Sequence, residues 1–234
     1  MTKEHGYTIV EITIIVIILS IILSFAVNVR ILKNTSNIKK AISDIQEYTN
    51  AIKTFKRKYG FLPGDIKKTQ IFELSTNDTD GNENGLIEDQ NQQNKIYERN
   101  IKIDGEIANF WLHLYKSGFI KENKNIFPYI DFLKTGILVF SNNNKNYYHI
   151  SVNGINEDKE IETINNLTPY NSYLIDKKLD DEMPFSGKIQ AVGGNRIKAS
   201  NKDMQHPSKK CATEFEYLTV FKEKSCQLIM EIDI

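Results

Sequence analysis

One polar stretch carries the residue types and spacing of a calcium loop. Counted from Asp80, side-chain oxygens stand at places 1, 3 and 5 (Asp80, Asn82, Asn84), Gly85 at 6, the Leu86 carbonyl at 7 and Glu88 at 9. Such spacing gives calcium an all-oxygen shell, with glycine where the chain turns sharply. Place 12, where a bidentate Glu closes the shell, is Asn91, so the expected affinity is weak, about 10⁻⁴–10⁻³ M. A flexible Asn/Asp/Gly loop without metal accounts for the same residues. Asp180, Asp181 and Glu182 form a second acidic run, read as capping and solvation after a helix. Cys211 and Cys226 are the only cysteines. Such a pair forms one disulfide in an oxidising compartment or stays as two buried thiols. A disulfide here would close a loop of about 15 residues, nominally worth ~3 kcal/mol through the unfolded state. His5, His113, His149 and His206 are dispersed, and none is spaced to complete a metal site with the cysteines. No P-loop, Cys-x-x-Cys or Gly-x-Ser-x-Gly occurs, so the expectation is a protein that is not an enzyme.

Glu11 is the only charge between Tyr7 and Val29. The run from Ile12 to Val27 is apolar all round rather than striped. As a helix, Ile9 to Val29 spans roughly 30 Å, the thickness of a bilayer's hydrocarbon core. A cleaved secretory signal is the alternative, with small residues at Ser24-Phe25-Ala26. The run exceeds the ~7–15 residues of a signal core and little positive charge precedes it, so a retained membrane helix is expected. A carboxylate just inside hydrocarbon is costly and usually functional. Its plainer role is to complement the dipole of the helix N-terminus, worth ~1 kcal/mol or less.

Gly6-Tyr7-Thr8-Ile9-Val10-Glu11 ahead of a long apolar helix resembles the N-terminal signature of type IV prepilins and type II secretion pseudopilins. The resemblance implies a leader at 1–6, cleavage by a prepilin peptidase between Gly6 and Tyr7 on the cytoplasmic side, and methylation of the new N-terminus. Tyr7 stands where the family usually has Phe, and Lys3 in the leader is offset by Glu4. Cleavage creates a cationic amine at Tyr7, four residues before Glu11. Glu11 would offset it within one subunit or attract the amine of an incoming one, in a low-dielectric setting where ion pairing is strong. Tyr7 and Glu11 are thus the expected assembly residues. The implied location is the bacterial inner membrane, N-terminus cytoplasmic and head periplasmic, with the filament in the periplasm or at the cell surface. The implied partners are other pilin-like subunits, prepilin peptidase, membrane lipid, and the membrane platform of a secretion or pilus machine.

Beyond Arg30 charge returns but helical spacing persists. Ile38, Ile42, Ile45, Tyr48, Ile52, Phe55 and Tyr59 advance by 4, 3, 3, 4, 3 and 4, an amphipathic stripe opposite Lys39, Lys40, Asp44, Glu47, Lys53 and Lys56. No Pro or Gly interrupts Tyr7 to Tyr59, so one helix of about 80 Å is expected, stopped by Gly60 and followed by a Pro63-Gly64 turn. The phrase from Tyr48 to Asp65 is similar to the junction of many pilin-like proteins. This predicts membrane helix over 7–29, amphipathic helix over 30–60 and a periplasmic globular head over 61–234. A helix from Glu106 to Gly118 should bury Ile107, Phe110, Trp111, Leu114 and Tyr115. Phe110 to Leu114, followed by Gly118-Phe119-Ile120, again resembles the head of certain prepilin-like proteins. A hairpin of 137–140 with 147–152, a helix opened by Thr168-Pro169 and reaching Leu179, and a strand at 188–192 follow. Alternation at Phe215, Tyr217, Thr219 and Phe221, and at Cys226, Leu228, Met230 and Ile232, reads as strand. A disulfide loop near the C-terminus also resembles the pilin pattern. The fold class is α+β: a long N-terminal helix packed on a small antiparallel-sheet head, pilin-like.

Thirty basic and thirty acidic residues give a formal net charge of zero, which argues against a whole surface built for nucleic acid or anionic lipid. The charge is segregated, however. Residues 73–89 hold Glu73, Asp78, Asp80, Glu83, Glu88 and Asp89 without Lys or Arg, and 188–210 hold Lys188, Arg196, Lys198, Lys202, Lys209 and Lys210 against only Asp203. These patches either meet between neighbouring subunits or are two solvated loops. The functional expectation is a structural subunit of a type IV pilus-like or type II secretion pseudopilus filament. The alternatives are a pilin-like module capturing DNA or a surface, and a signal-anchored periplasmic enzyme.

Overall fold

A computed structural model describes residues 7–67, 81–88, 100–102, 104–121, 127–155, 160–163, 165–192 and 210–234. The chain divides into two units, Met1–Lys40 and Ala41–Ile234. Helix α1, Ile9–Tyr59, belongs to both, and its side chains are described over 9–24 and 32–59. In the first stretch every large apolar side chain from Ile9 to Leu23 is about half exposed or more. Among the described residues no helix is long and apolar enough to cross a membrane. The apolar run read in the sequence extends past 24 into residues whose side chains are not described.

The second unit is α+β. On α1, Ile42, Ile45, Ile52 and Phe55 of the stripe are buried, with Ala41 and Ala51 beside them, while Tyr48 and Tyr59 are half-buried. The helix ends where expected: Gly60 has φ 85° and donates its N–H to the Lys56 carbonyl at 2.8 Å. Helix α2, Gly105–Lys116, buries Ile107, Phe110, Trp111 and Leu114, but Tyr115 is 37 % exposed and His113 is covered instead. The His113 ring stacks on Phe55, and its Nδ1 accepts the Gly64 N–H at 3.0 Å. That hydrogen bond satisfies the buried ring of His113, while Tyr115 faces outward. Past α2, Gly118 N–H bonds the Tyr115 carbonyl and Phe119 N–H the Leu114 carbonyl, at 2.9 and 3.0 Å, satisfying the last carbonyls of the helix.

The antiparallel sheet is built on strands β3, Thr135–Asn142, and β4, Lys145–Ile155. They pair further than the apolar alternation indicated. Asn143 and Asn144 both take positive φ (47° and 60°) in the two-residue turn, whose twist matches the strands, so the polar flanks Ser141–Asn142 and Lys145–Asn146 join the ladder. Beyond β3 lies β2, Tyr129–Ile130. On its other edge β4 pairs first with β7, Gln227–Glu231, then with β5, Glu160–Thr163. Strand β1, Asn100–Lys102, lies beside β5, and β6, Ile189–Val192, beside β7. Tyr148 of β4 is fully buried beneath the helices: its hydroxyl lies 3.1 Å from that of Thr49, and its ring stacks on Trp111.

Helix α3, Pro169–Leu179, begins as the sequence requires, with the Thr168 side chain accepting the Asn171 N–H and Pro in the first turn. Cys211 and Cys226 form a disulfide with Cα atoms 5.1 Å apart. The segment between them is not the alternating strand expected. It holds one bridge, Ala212 to Tyr217, and is otherwise turns, because the Thr213 hydroxyl accepts the N–H groups of Phe215 and Glu216 and bends the chain. Tyr217 is drawn inward, its hydroxyl donating to Asp176 at 2.7 Å. Phe215 is left 69 % exposed. Replacing both cysteines with Ala should lower the unfolding free energy by about 3 kcal/mol, read by urea titration of the full chain through the fluorescence of Trp111, its single tryptophan.

Candidate functional site

The loop 81–88 is held by two carboxyl groups far from it in sequence. Asp65 follows the Pro63-Gly64 turn, where Gly64 has φ 87° and a Cβ would lie 2.4 Å from the Glu106 carbonyl oxygen. No other residue type admits that approach. The Asp65 carboxylate accepts N–H groups from Asn84 at 3.1 Å and Gly85 at 2.7 Å. Glu106, in the first turn of α2, accepts those of Asn82 at 2.9 Å and Glu88 at 3.1 Å. The Glu88 carbonyl in turn accepts the N–H groups of Glu106 and Ile107. Loop and helix thus satisfy each other's open backbone groups, and this replaces the missing side-chain cap at Asp104. Ile87 is fully buried, its N–H donating to Asn146 Oδ1 and its carbonyl accepting the Ser141 N–H, which fixes the loop to the β3–β4 hairpin.

Three of the expected calcium positions come together. The carboxamide nitrogens of Asn82 and Asn84 donate to Glu88 Oε2 at 3.4 and 2.9 Å. Their oxygens accept the N–H groups of Asn84 and Leu86. Leu86 therefore enters through its N–H, and Asp80 lies outside the described residues. The arrangement does not fit a cation as it stands: two N–H donors face Glu88 where a cation would sit, and the amide oxygens are turned onto the backbone. Asp65 and Glu106 were missed by sequence reasoning because loop spacing reports only local neighbours. A Gly-Asp after a turn and a Glu opening a helix were the signals present.

Burial shifts the acids here. Glu106 is pushed up to about 7, first by desolvation and then by the negative charges of Asp65 and Glu88. Burial also raises Asp65, against the lowering effect of its hydrogen bonds, one of them to Glu106. A hydrogen bond between two carboxyl groups requires a proton on one of them. His113 is pushed down to about 4 by burial and by Lys116, so it stays neutral with its hydrogen on Nε2.

At the other end of the chain, Thr8 and Glu11 form a capping box that the spacing allowed and the sequence reading passed over. Glu11 Oε2 accepts the Thr8 N–H at 2.8 Å and its hydroxyl at 2.9 Å, while Thr8 Oγ1 accepts the Glu11 N–H at 3.3 Å. Gly6 lies outside the described residues, and Tyr7 is exposed.

Comparison of the chain with protein-family models, with curated proteins and with solved structures finds no match.

The acidic run after α3 is committed to its own turn. Carboxylate oxygens of Asp176, Asp180 and Asp181 lie within 4.8 Å of one another. Asp180 accepts the Ile189 N–H, Asp181 the Met183 N–H and the Ser186 hydroxyl, and Asp176 the Glu182 N–H and the Tyr217 hydroxyl. Glu182 pairs with Lys177 at 2.9 Å. Asp176 is raised to about 6, first by burial. These residues tie α3 to β6 and to the disulfide loop.

Two measurements follow from the loop. Between its ordinary 4.5 and about 7, Glu106 keeps its proton in the native state, whereas the unfolded chain loses it. Its contribution is therefore full in acid and lost as pH rises through about 7. His113 and His149, both lowered to about 4, act oppositely, so the Glu106 part must be read by difference. Glu106→Gln should lower stability by about 1–3 kcal/mol, because one loop N–H loses its acceptor. The gap to the wild type, measured by urea unfolding at several pH values, should narrow as pH rises from about 4.5 to 7. Calorimetric titration to millimolar calcium should give no heat. A binding heat that Glu88→Gln removes would instead make the loop a calcium site.

Proposed function

We propose that the chain is a structural subunit of a type IV pilus-like or type II secretion pseudopilus filament, processed after Gly6. The observation that carries this reading is the apolar stretch from Ile9 to Leu23, which is open to its surroundings on every side and begins at Thr8-Ile9-Val10-Glu11 directly after Gly6-Tyr7. Fully burying one such side chain is worth about 1.5–3 kcal/mol. A run of them without cover calls for an apolar solvent, first lipid and then the same helices of other copies. The helix also continues into the head unit, where its character changes from apolar all round to striped. That is the division of labour a filament subunit needs: one part to bundle with other copies, another to carry a head. The head is periplasmic in this reading, where an oxidising environment supports the Cys211–Cys226 disulfide.

The capping box sharpens the part played by Glu11. Before cleavage its carboxylate is occupied by Thr8, which holds the first turn of the helix in shape. Cleavage after Gly6 places a cationic amine one residue before Thr8, within reach of the same carboxylate or of one on a neighbouring copy. Mass spectrometry of the mature chain should find N-methyl-Tyr7 as the first residue; an intact Met1, or a start at Val27, would sink the reading. Glu11→Gln tests the charge apart from the cap, because Gln also serves in a capping box. Processing should be retained and filament yield should fall at least about tenfold, the effect of ~1.4 kcal/mol per added subunit.

A further inference from the structure

Loop 81–88 contains one of the chain's two Asn-Gly pairs, Asn84-Gly85; the other is Asn153-Gly154 in β4. Asparagine is thermolabile, most of all before glycine, where no side chain shields the next backbone nitrogen from the carboxamide. Asn84 and Gly85 are both exposed, and a Cβ at Gly85 would meet nothing within 4 Å, so water reaches the pair. The reaction open to it is an internal acyl transfer. The Gly85 nitrogen bonds to Asn84 Cγ and gives its proton to water, while the Cγ–Nδ2 bond breaks and Nδ2 takes up a proton and leaves as ammonia. Water then opens the succinimide at either carbonyl, giving Asp or a β-linked isoaspartate. One water enters, one ammonia leaves, and nothing is oxidised or reduced.

The closed loop holds the reacting atoms apart. In a succinimide, Cγ occupies the direction in which the amide nitrogen otherwise carries its hydrogen. Gly85 points that hydrogen at Asp65 Oδ2, 2.7 Å away. The carboxamide of Asn84 is held at both ends: Oδ1 accepts the Leu86 N–H at 2.7 Å, and Nδ2 donates to Glu88 Oε2 at 2.9 Å. Attack needs the two atoms close and aligned, so these bonds must open first. We propose that Asn84-Gly85 is a deamidation site latched by Asp65, which reacts when loop 81–88 opens and then keeps the loop from closing as before. A carboxylate at position 84 faces Glu88 with no hydrogen between them, two like charges where a hydrogen bond stood. An isoaspartyl link adds a carbon to the backbone between the N–H groups of residues 84 and 85, which Asp65 receives together. Either product loosens the loop, so the change runs one way and accumulates with the age of a copy.

The test keeps the full chain in detergent micelles at neutral pH for weeks. Peptides spanning 84–85 and 153–154 are followed by mass spectrometry, with isoaspartate identified by electron-transfer fragmentation. Asn84 in the native chain should deamidate at least about tenfold more slowly than in the same chain unfolded in urea. Asp65→Asn, which leaves one oxygen to serve two N–H groups, should raise the native rate about fivefold or more. Glu88→Ala, which frees the carboxamide and leaves the Glu88 backbone bonds available, should raise it as well. Asn153-Gly154 lies where β4 pairs with β5, and its rate should stay at the wild-type value, which separates release of the loop from general unfolding. Asn84→Asp should speed amide exchange at 82–88 about fivefold and leave the β3–β4 ladder unchanged. Equal rates in the native and unfolded chains, no reaction in either, or a rate indifferent to both variants would overturn the inference. A rise at Asn153 matching that at Asn84 in both variants, or loop exchange that Asn84→Asp leaves unaltered, would overturn it equally.

Discussion

Water imposes one constraint on which the rest of this structure depends: the large aliphatic side chains of α1 must be covered, and the chain covers only some of them. From Ile42 to Phe55 the apolar positions recur at helical spacing and are buried by α2 and the sheet, through Trp111, Tyr148 and the ring of His113. From Ile9 to Leu23 they point in every direction and remain open. At roughly 25 cal/mol per Å² of apolar surface, the first set organises a head, while the second stays open. The two sets share one helical element, α1.

Within the head, polar burial follows the same rule of satisfaction. Asp65 and Glu106 enter the interior because each is surrounded by backbone N–H groups that would otherwise be orphaned, and the loop 81–88 has its shape because those carboxylates receive it. Asp176 does the same between α3, the turn at Glu182 and Tyr217. In both places a buried acid holds together segments distant in sequence, with its pKa raised by desolvation. The described histidines, His113 and His149, are neutral interior groups bonded to Gly64 and Gln227.

The zero net charge is likewise a sum of unlike parts. Ion pairs such as Lys67–Glu83, Lys145–Glu231 and Lys188–Asp233 consume charge inside the chain at the head's surface, each worth little on its own. Among the described residues, Lys53, Lys56 and Arg57 of α1 form no ion pair.

The sequence by itself determined what depends on near neighbours. The stripe on α1, the Gly60 stop, the Thr168-Pro169 start of α3 and the Asn-rich hairpin turn were all legible, because periodicity, caps and turn geometry act within a few residues. The pairing of the two cysteines was one of two legible outcomes. Tertiary structure alone decided the rest. It placed His113 inside and Tyr115 out, bent the 211–226 segment around Thr213 where alternation suggested a strand, and drew Asp65 and Glu106 onto a loop whose own residues had suggested a metal. The reason is common to all three. A buried polar group is fixed by whichever partner satisfies it, and here those partners, Gly64, Asp176 and the N–H groups of residues 82–88, come from remote parts of the chain that no local pattern links.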